Sequence, residues 1–551
     1  MASNVLNRRD AWSYITFIII VFYIIVLIFP LLSLLKESVT TGDGQFSLKY
    51  FAEFFSKKYY YGTLFNSLKV TIAVTVASVI IATPLAYIMT TFKMKGKIYL
   101  QILILISMMA PPFIGAYSWI LLLGRNGAIT NFMNDFFGVS TPDIYGFNGI
   151  LLVLTLQLTP LIYMFLMGAL QNIDNSLLEA AESMGYTGVR KIVKVVMPLL
   201  TPTILAGSLM VFMRALADFG TPMLIGEGYM TLPVMIFNEF ISEMGGNDGF
   251  AAAISVIVII LALSIFLLQK YISNRKSYYM SALNPIEEKQ HRGIKNILAH
   301  LYVYGFLSLA ILPQLYVIYT AFLKTSGRIF VSGYSLDSFR VAFDRGGKAL
   351  LNTFTFGAVA IVIVVTIAIL VGYITVRRRN AVTNSLDTFT MVPYIVPGSV
   401  LGIALLLAFN SKPLLLSGTA TILIIAFVIR RLPYTIRSSA AIVYQISPSV
   451  EEAAASLGAS NMKTFFRITL PIMLPGVLSG AILSWVTIIS ELSTSILLYT
   501  ARTQTMTIAI YTEVIRGNYG IAAALATILI AITVVSLLIF FKLSGKKEFS
   551  I

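Results

Sequence analysis

The chain contains no cysteine and only two histidines, and charged residues make up only 12% of its 551 positions. Without cysteine it can form no disulfide, no thiolate metal site and no cysteine nucleophile. His291 and His300 stand apart from any carboxylate cluster, so they predict no metal site within the chain. A charged fraction of about half the globular average is too small to cover a soluble protein of this length. The composition therefore excludes a soluble globular protein.

Hydrophobic residues, at 57% of the chain, are gathered into long runs without charge. A helix needs about 20 mostly apolar residues to cross the roughly 30 Å hydrocarbon core of a bilayer. The runs predict an all-α integral membrane protein with twelve transmembrane helices. They cover 11–35, 70–92, 98–124, 144–173, 195–213, 249–269, 296–323, 349–376, 388–411, 413–429, 468–490 and 517–541. The first run is too long for a signal-peptide core, so we expect it to be retained.

Lysine and arginine are distributed unevenly among the loops. If the N-terminal segment with Arg8 and Arg9 is cytoplasmic, most of the net charge of +16 falls on cytoplasmic segments. An excess of basic residues is typical of cytoplasmic loops, so we predict that both termini are cytoplasmic. Because this charge is spread over short loops instead of one patch, it argues against nucleic-acid binding. The lipid bilayer is the expected partner of the apolar surface.

The second half of the chain repeats the first. An offset of 273 aligns residues 179–198, EAAESMGYTGVRKIVKVVMP, with residues 452–471, EAAASLGASNMKTFFRITLP. The same offset pairs Asp218 with Glu491, whereas an offset of 286 applies upstream because one loop is shorter in the second half. Six spans in each repeat give both halves the same orientation in the membrane. This arrangement predicts a pseudo-twofold axis along the membrane normal, with the substrate route between the halves.

The repeat divides the chain into two tandem six-helix modules joined by a linker. The first module is residues 1–269, with its core at 62–270, and the second is residues 298–551, with its core at 349–541. Residues 270–297 between them are polar and basic with a single proline. This composition predicts a cytoplasmic linker without a folded domain.

A paired motif occupies the loop between the fourth and fifth predicted spans of each half. A lone Glu-Ala-Ala means little, because both residue types simply favour helices. Here a glycine follows six residues after the glutamate and a proline nineteen residues after it, in both halves. The pattern predicts a short helix, a glycine-enforced turn and a second helix that leads to the proline. The motif residues are Glu179, Ala180, Ala181 and Gly185 in the first half, and Glu452, Ala453, Ala454 and Gly458 in the second.

This pattern resembles the coupling loop of type I permease subunits of bacterial ABC importers of the binding-protein-dependent class. The resemblance covers both halves and implies a location in the bacterial cytoplasmic (inner) membrane. It also implies that the two motifs contact two ATP-binding cassette subunits, and that an extracytoplasmic solute-binding protein delivers the substrate. By the same resemblance, ATP binding would draw the ATPases together and rock the two halves towards an outward-facing state.

The chain has no nucleotide-binding loop of its own. Its Gly-Lys pairs Gly96-Lys97, Gly347-Lys348 and Gly545-Lys546 are followed by isoleucine, alanine and lysine, so none completes the GxxxxGK[ST] pattern that cradles phosphates. We therefore expect no cofactor in this chain and no enzymatic activity of its own. ATP and Mg are expected on the partner ATPase.

Two segments after the paired motifs narrow the resemblance. FMRALADFGTPMLIG at 212–226 and ISELSTSILLYT at 489–500 resemble the ferric-iron-type permeases, a branch whose members are commonly fused duplicates. The resemblance implies ferric iron as the expected cargo. Importers of phosphonates, sugar phosphates, thiamine and polyamines are related, so these substrates remain alternatives. An ion-coupled secondary transporter is the alternative from another class, but it would have no use for a paired docking motif.

Five ionisable residues lie in or beside the predicted spans. An acid such as Asp218 or Glu491 is costly in the membrane and indicates a translocation path or gate. Structural alternatives remain: Arg214, four residues earlier, could pair with Asp218, or either acid could accept a backbone N–H at a helix break. Arg430 and Arg431 could attract an anionic substrate, or anchor their helix by snorkelling.

Proline and glycine interrupt the third predicted span of each half. Breaks of this kind mark either a bend that lines a pore or a close packing of helices, and the sequence leaves both open. The interrupting residues are Pro111, Pro112 and Gly115 in the first half, and Pro393, Pro397, Gly398 and Gly402 in the second.

Overall fold

The computed structural model describes residues 11–109, 112–241, 246–275, 284–290 and 292–544. Within these ranges the chain is mainly helical, as its apolar runs predict. Arg8 and Arg9, Pro111, His291, residues 276–283 of the linker and the Gly545-Lys546 pair lie outside the described residues.

Helices overlap all six predicted spans of the first half, although the helix at the second span begins earlier, at Lys58. In chain order, α1–α14 are Ala11–Tyr23, Phe29–Ser38, Lys49–Ser56, Lys58–Thr91, Lys97–Met109, Pro112–Leu123, Ala128–Phe137, Phe147–Gln171, Asn175–Ser183, Gly188–Lys191, Met197–Leu216, Gly220–Ile225, Leu232–Ile241 and Asp248–Arg275. Short π-helical segments join two pairs into continuous rods: Ile24–Ile28 between α1 and α2, and Ile192–Val196 between α10 and α11.

The second half repeats most of these helices in the same order, with eleven described helices where the first half has fourteen. In chain order, α15–α25 are Ile294–Ala321, Asp337–Arg377, Ala381–Ile395, Gly398–Phe409, Ala420–Gln445, Pro448–Ser456, Asn461–Thr464, Leu470–Ile489, Ser495–Leu498, Met506–Ile515 and Tyr519–Ser544. A π-helical segment, Phe465–Thr469, joins α21 to α22. Strands β1 (Leu323–Ser326) and β2 (Ile329–Tyr334) form an antiparallel hairpin that the all-α prediction missed.

The predicted number of twelve spans is not confirmed. Among the described residues, eight helices are long and apolar enough to cross a membrane, and counting three sharply bent pairs as one span each raises the number to eleven at most. At the place of the tenth predicted span lies α19, a 26-residue helix. Every membrane-length stretch of α19 contains Arg430, Arg431 and Arg437, so its composition is less apolar than that of the other spans.

The third predicted span is broken in both halves, as its prolines and glycines predict. The chain bends by 96° between Lys97–Met108 and Phe113–Phe137, and by 110° between α17 and α18. Val396 is extended, because a residue that precedes proline is kept out of the helical region. A Cβ on Gly402 would lie 2.8 Å from Leu497 Cδ1, so this glycine permits close packing beside the break.

The described helices group into two compact units. Unit 1 holds the described parts of Met1–Phe51, Glu239–Val256 and Asp337–Lys547, and unit 2 holds Ala52–Asn238 and Ile257–Leu336. Unit 1 thus contains α1 and α2 together with most of the second half, and unit 2 contains α15 together with most of the first. The module boundaries proposed from the repeat remain a prediction.

Specific contacts hold α15 in unit 2 and α1 in unit 1. In unit 2, the Tyr302 hydroxyl of α15 donates a hydrogen bond of 2.9 Å to the Ile81 carbonyl of α4. In unit 1, Trp12 of α1 is buried against Phe465 and Tyr373, with ring centroids 4.8 and 4.7 Å away. Aromatic pairs of this kind contribute about 0.5–1.5 kcal/mol each beyond their burial. The start of α1 is therefore held beside the π-helical segment that leads into α22.

Candidate functional site

The Glu-Ala-Ala motif of the first half forms a capped helix followed by a tight turn, residues 175–186, which we call the first EAA turn. The Asp174 carboxylate caps α9 by accepting a hydrogen bond of 3.0 Å from the Ser176 N–H. At the other end Gly185 has a φ of 83°, a left-handed conformation that favours glycine. The Tyr186 N–H donates to the Ala181 carbonyl at 2.9 Å, which closes a Schellman motif.

The second half repeats this geometry in residues 448–459, the second EAA turn. Pro448 occupies the first turn of α20, and Gly458 has a φ of 82°. The Ala459 N–H donates to the Ala454 carbonyl at 3.0 Å, as its counterpart does in the first half. The predicted glycine-enforced turn is therefore confirmed in both halves.

Both EAA turns expose the same positions. The glutamates and first alanines are exposed and the second alanines are buried, which fixes the orientation of each helix on its unit. The residues that share this pattern are Glu179, Ala180 and Ala181 in the first turn, and Glu452, Ala453 and Ala454 in the second.

Large apolar side chains near these residues are exposed to solvent as well. Leu177 and Met184 are 45% and 71% exposed in the first EAA turn, and Val450 and Leu457 are 37% and 89% exposed in the second. A spacing of seven residues places each pair on one side of its helix, two turns apart. The docking motif predicted from the sequence leaves these residues out, although the constant offset of 273 that aligns the motifs also aligns them.

We expect Gly458→Ala to loosen the second EAA turn, because a left-handed alanine costs roughly 1–2 kcal/mol. Hydrogen exchange at Gly458 and Ala459, measured by mass spectrometry on the purified full chain, should become faster. The control is Gly305→Ala within α15, where an added Cβ meets no atom within 4 Å and φ is not positive. Unchanged exchange in the Gly458→Ala variant would contradict the requirement for glycine.

The first EAA turn carries an additional charge pair across its bend. The Lys191 ammonium bonds the Glu182 carboxylate and holds the pKa of that carboxyl below its usual value. Because a lowered pKa keeps the carboxyl ionised, the pair persists at neutral pH and is lost only as the pH falls into the acid range. The equivalent positions in the second half are Ala455 and Thr464, so this pair belongs to the first half alone.

Asp218 and Glu491 lie just beyond α11 and α22, and each caps the segment that follows. The Asp218 carboxylate accepts a hydrogen bond of 2.9 Å from the Thr221 N–H, and the Glu491 carboxylate one of 3.0 Å from the Thr494 N–H. This is the structural alternative in which the acid accepts a backbone N–H at a helix break. Arg214 and Asp218 both lie in the described part of the chain, and they form no ion pair with each other.

In the second half, two arginines converge on the acid. Arg430 Nη1 lies 3.1 Å from Glu491 Oε1, and Arg431 Nη2 lies 2.6 Å from Glu491 Oε2. Arg430 also donates to the Thr494 hydroxyl at 2.7 Å, and Arg431 to the Thr487 carbonyl at 2.9 Å. The Glu491 side chain is only 4% exposed, so this triad is buried and carries a net charge of about +1. Both arginines point to a buried partner, which disfavours anchoring by snorkelling.

The triad is confined to the second half. The positions equivalent to Arg430 and Arg431 hold Gln157 and Leu158, and Glu491 is replaced by the shorter Asp218. A Cβ on Gly398, at the start of α18, would collide with the Arg430 guanidinium. The absence of a side chain there gives the guanidinium its room beside the helix break.

The described residues bring no obvious metal ligands together. No group of three or more histidine, cysteine, aspartate or glutamate side chains in this part of the chain could hold a metal ion. The His300 ring contacts a backbone carbonyl of its own helix, with Nδ1 2.8 Å from the Asn296 carbonyl oxygen. The ionisable residues of interest are therefore the buried triad and its first-half counterpart.

Comparison with known proteins gives a consistent set of relatives. The family model described as "Binding-protein-dependent transport system inner membrane component" matches residues 78–278 and again residues 364–547. The ferric transport system permease protein FbpB of Actinobacillus pleuropneumoniae is 28% identical over 96% of this chain and 77% of that protein. A putative ferric transport system permease protein, FbpB 1 of Haemophilus influenzae, is 29% identical over 89% of this chain and 78% of its own length. A putative 2-aminoethylphosphonate transport system permease protein, PhnU of Salmonella typhimurium, is 26% identical over 45% of this chain and 87% of its own.

Proposed function

Because this chain belongs to the family of binding-protein-dependent transport system inner membrane components, we propose that it is the ABC importer permease through which ferric iron enters the cell. A solute-binding protein outside the cytoplasm delivers the iron, and ATP hydrolysed by separate subunits drives its passage. Ferric iron is favoured because relatives named for ferric transport align with nearly the whole chain, across both repeats.

The pair of EAA turns is the observation that carries the proposal. Two docking elements with the same left-handed glycine, the same closing hydrogen bond and the same exposed positions fit two copies of one partner. Apolar side chains that are exposed on a short helix such as α9 or α20 are typical of the core of an interface. The two ATP-binding subunits dock there, and they hold ATP and Mg.

We propose that both termini are cytoplasmic, and contacts between loops support this for the N-terminus and the linker. In unit 2, Lys289 of the linker exchanges backbone hydrogen bonds with the loop after α4, and Asn284 of the linker bonds to the start of α9. In unit 1, Trp12 at the start of α1 packs on Phe465, which follows the second EAA turn. Segments that touch in this way lie on the same side of the membrane, and the topology predicted from the basic residues puts all of them in the cytoplasm.

Other cargoes are less well supported. The phosphonate-type relative aligns with less than half of the chain, whereas the ferric-type relatives align with both halves. Sugar phosphates, thiamine and polyamines remain alternative cargoes. An ion-coupled secondary transporter leaves the paired EAA turns without a role.

A transport assay tests the proposal directly. The chain would be purified with its ATP-binding subunits, reconstituted into proteoliposomes, and given its solute-binding protein with or without bound ferric iron. We expect the iron-loaded protein to stimulate ATP hydrolysis and to deliver iron to the lumen only when ATP is present. The same protein without iron serves as the control. Uptake without ATP would refute the ATP-driven mechanism, and stimulation by a phosphonate-loaded protein alone would refute iron as the cargo.

A further inference from the structure

The described end of the linker, residues 284–290, forms an extended segment that we call the strap. Its sequence is NPIEEKQ, and it lies in unit 2 between the loop that follows α4 and the start of α9. A linker that only tethered two halves would need no fixed contacts along its length. The strap instead makes hydrogen bonds at both of its ends.

At its first end the strap is bonded to the cap of the first EAA turn. The Asn175 N–H donates to the Asn284 carbonyl at 2.8 Å, and the Asn284 N–H donates to the Asp174 carboxylate at 3.3 Å. Asp174 is also the residue that caps α9 through the Ser176 N–H. The Asn175 side chain in turn donates to the Glu179 carboxylate at 2.7 Å. The strap is thus connected, through Asn175, to the glutamate of the motif.

At its second end the strap is bonded to the loop between α4 and α5. The Lys289 N–H donates to the Thr91 carbonyl at 2.8 Å, and the Lys93 N–H donates to the Lys289 carbonyl at 3.2 Å. The Glu288 carboxylate pairs with the Lys97 ammonium at 2.5 Å. Between the two ends, the Ile286 side chain packs against the buried apolar cluster of unit 2.

Within the described residues, the second half bridges the same two places without a strap. Arg377, equivalent to Thr91 at the upstream offset of 286, reaches the Ile446 carbonyl at 2.6 Å and pairs with the Glu451 carboxylate at 3.3 Å. Glu451 also accepts a hydrogen bond from the Thr469 hydroxyl at 3.0 Å. Pro448, equivalent to Asn175, has no N–H with which to bond a strand. In the second half, the Arg377 guanidinium therefore makes the connection that the backbone of the strap makes in the first half.

We propose that the strap is a positioning element, which holds the first EAA turn against the α4–α5 loop as Arg377 holds the second. This inference rests on the proposed docking of ATP-binding subunits at the EAA turns. It makes the two docking sites mechanically inequivalent, because one is fixed by the linker backbone and the other by a side-chain network. The linker then transmits movement to the first EAA turn, in addition to joining the halves.

Hydrogen exchange on the purified full chain in lipid nanodiscs tests the positioning without any partner. Replacing residues 284–290 by a Gly-Ser segment of equal length should speed exchange in α9 by about tenfold, with α20 unchanged. Arg377→Gln should do the reverse and speed exchange in α20 alone. Exchange in α9 that stays at the wild-type rate after replacement of the strap would overturn the proposal. So would equal acceleration in both helices, because that result indicates general destabilisation.

Charge variants give a finer test with a matched control. Glu288→Gln removes the pair with Lys97, whereas Glu287→Gln removes a neighbouring exposed carboxylate for which no hydrogen bond or ion pair is described. We expect only Glu288→Gln to speed exchange in α9, and the exchanged pair Glu288→Lys with Lys97→Glu to restore the slow rate. Equal effects of the two glutamine variants, or no rescue, would contradict the role of the pair.

Coupling in the complete transporter supplies the functional readout. In proteoliposomes with the ATP-binding subunits and iron-loaded binding protein, replacement of the strap should lower the iron transported per ATP hydrolysed, while basal ATP hydrolysis persists. An unchanged ratio would refute the role in coupling, even if exchange in α9 had changed. If wild-type chain shows no ATP-dependent uptake, the proposed function fails, but the exchange experiment still decides whether the strap positions α9.

Discussion

Glu491→Gln is expected to destabilise the chain by about 3–5 kcal/mol, because it removes the one carboxylate that pairs with the Arg430 and Arg431 guanidinium groups. Arginine stays protonated at every accessible pH, so Arg430 and Arg431 cannot escape by losing a proton. The amide of glutamine can still accept a hydrogen bond, but it carries no charge. The measurement is the apparent melting temperature and monodisperse yield of the purified chain in detergent.

The first half offers the matched control. Asp218→Asn changes the equivalent carboxylate, which accepts a bond from the Thr221 N–H and forms no ion pair in the described structure. The asparagine oxygen can keep that bond, so we expect a loss of no more than about 1 kcal/mol. Comparable losses at Asp218 and Glu491 would refute the explanation by unpaired charge.

A triple variant separates bracing from a role in transport. Arg430→Gln, Arg431→Leu and Glu491→Asp together give the second half the residues of the first half at these three positions. Since replacing a whole buried ion cluster by less charged groups is often neutral, this variant should recover most of the stability that Glu491→Gln loses. If it is stable but imports no iron, the triad acts in the translocation path or gate. If it is stable and active, the triad braces the helix break only.

The sequence predicts the local features of this protein well. Gly185 and Gly458 occur where only a left-handed residue closes the helix, and Pro397 occurs where the third span of the second half breaks. Such features depend on neighbours in the chain, so a pattern of a few residues specifies them. The cap made by Asp218 is of the same kind, since its partner is three residues away.

Features that depend on distant residues could not be predicted in the same way. Arg430 meets Glu491 across 61 residues, and no pattern in either segment specifies that contact. Arg430 and the adjacent Arg431 reduce the hydropathy of α19, which is one reason why the count of twelve spans is not confirmed. The composition of the strap predicts only a polar tether, because main-chain hydrogen bonds leave almost no trace in composition.

The exposed apolar residues of the EAA turns yield the second large effect. We expect Met184→Asp with Leu457→Asp to abolish stable association with the ATP-binding subunits, because a carboxylate would replace an apolar anchor at both proposed docking sites. A loss of about 2 kcal/mol at one site corresponds to roughly 30-fold weaker binding there. The measurement is co-purification of the subunits in detergent, followed by a titration of binding for each single variant.

Stability of the chain itself separates this effect from misfolding. Leu457 is 89% exposed, so its replacement removes few contacts within the chain and the melting temperature should stay the same. Leu336→Asp, at a residue 65% exposed between β2 and α16, is the control on the side proposed to face away from the cytoplasm. If the double variant still binds two subunits with wild-type affinity, the docking face lies elsewhere. If Leu457→Asp weakens binding more than Met184→Asp does, the more exposed anchor contributes more, which is the order that the two exposures predict.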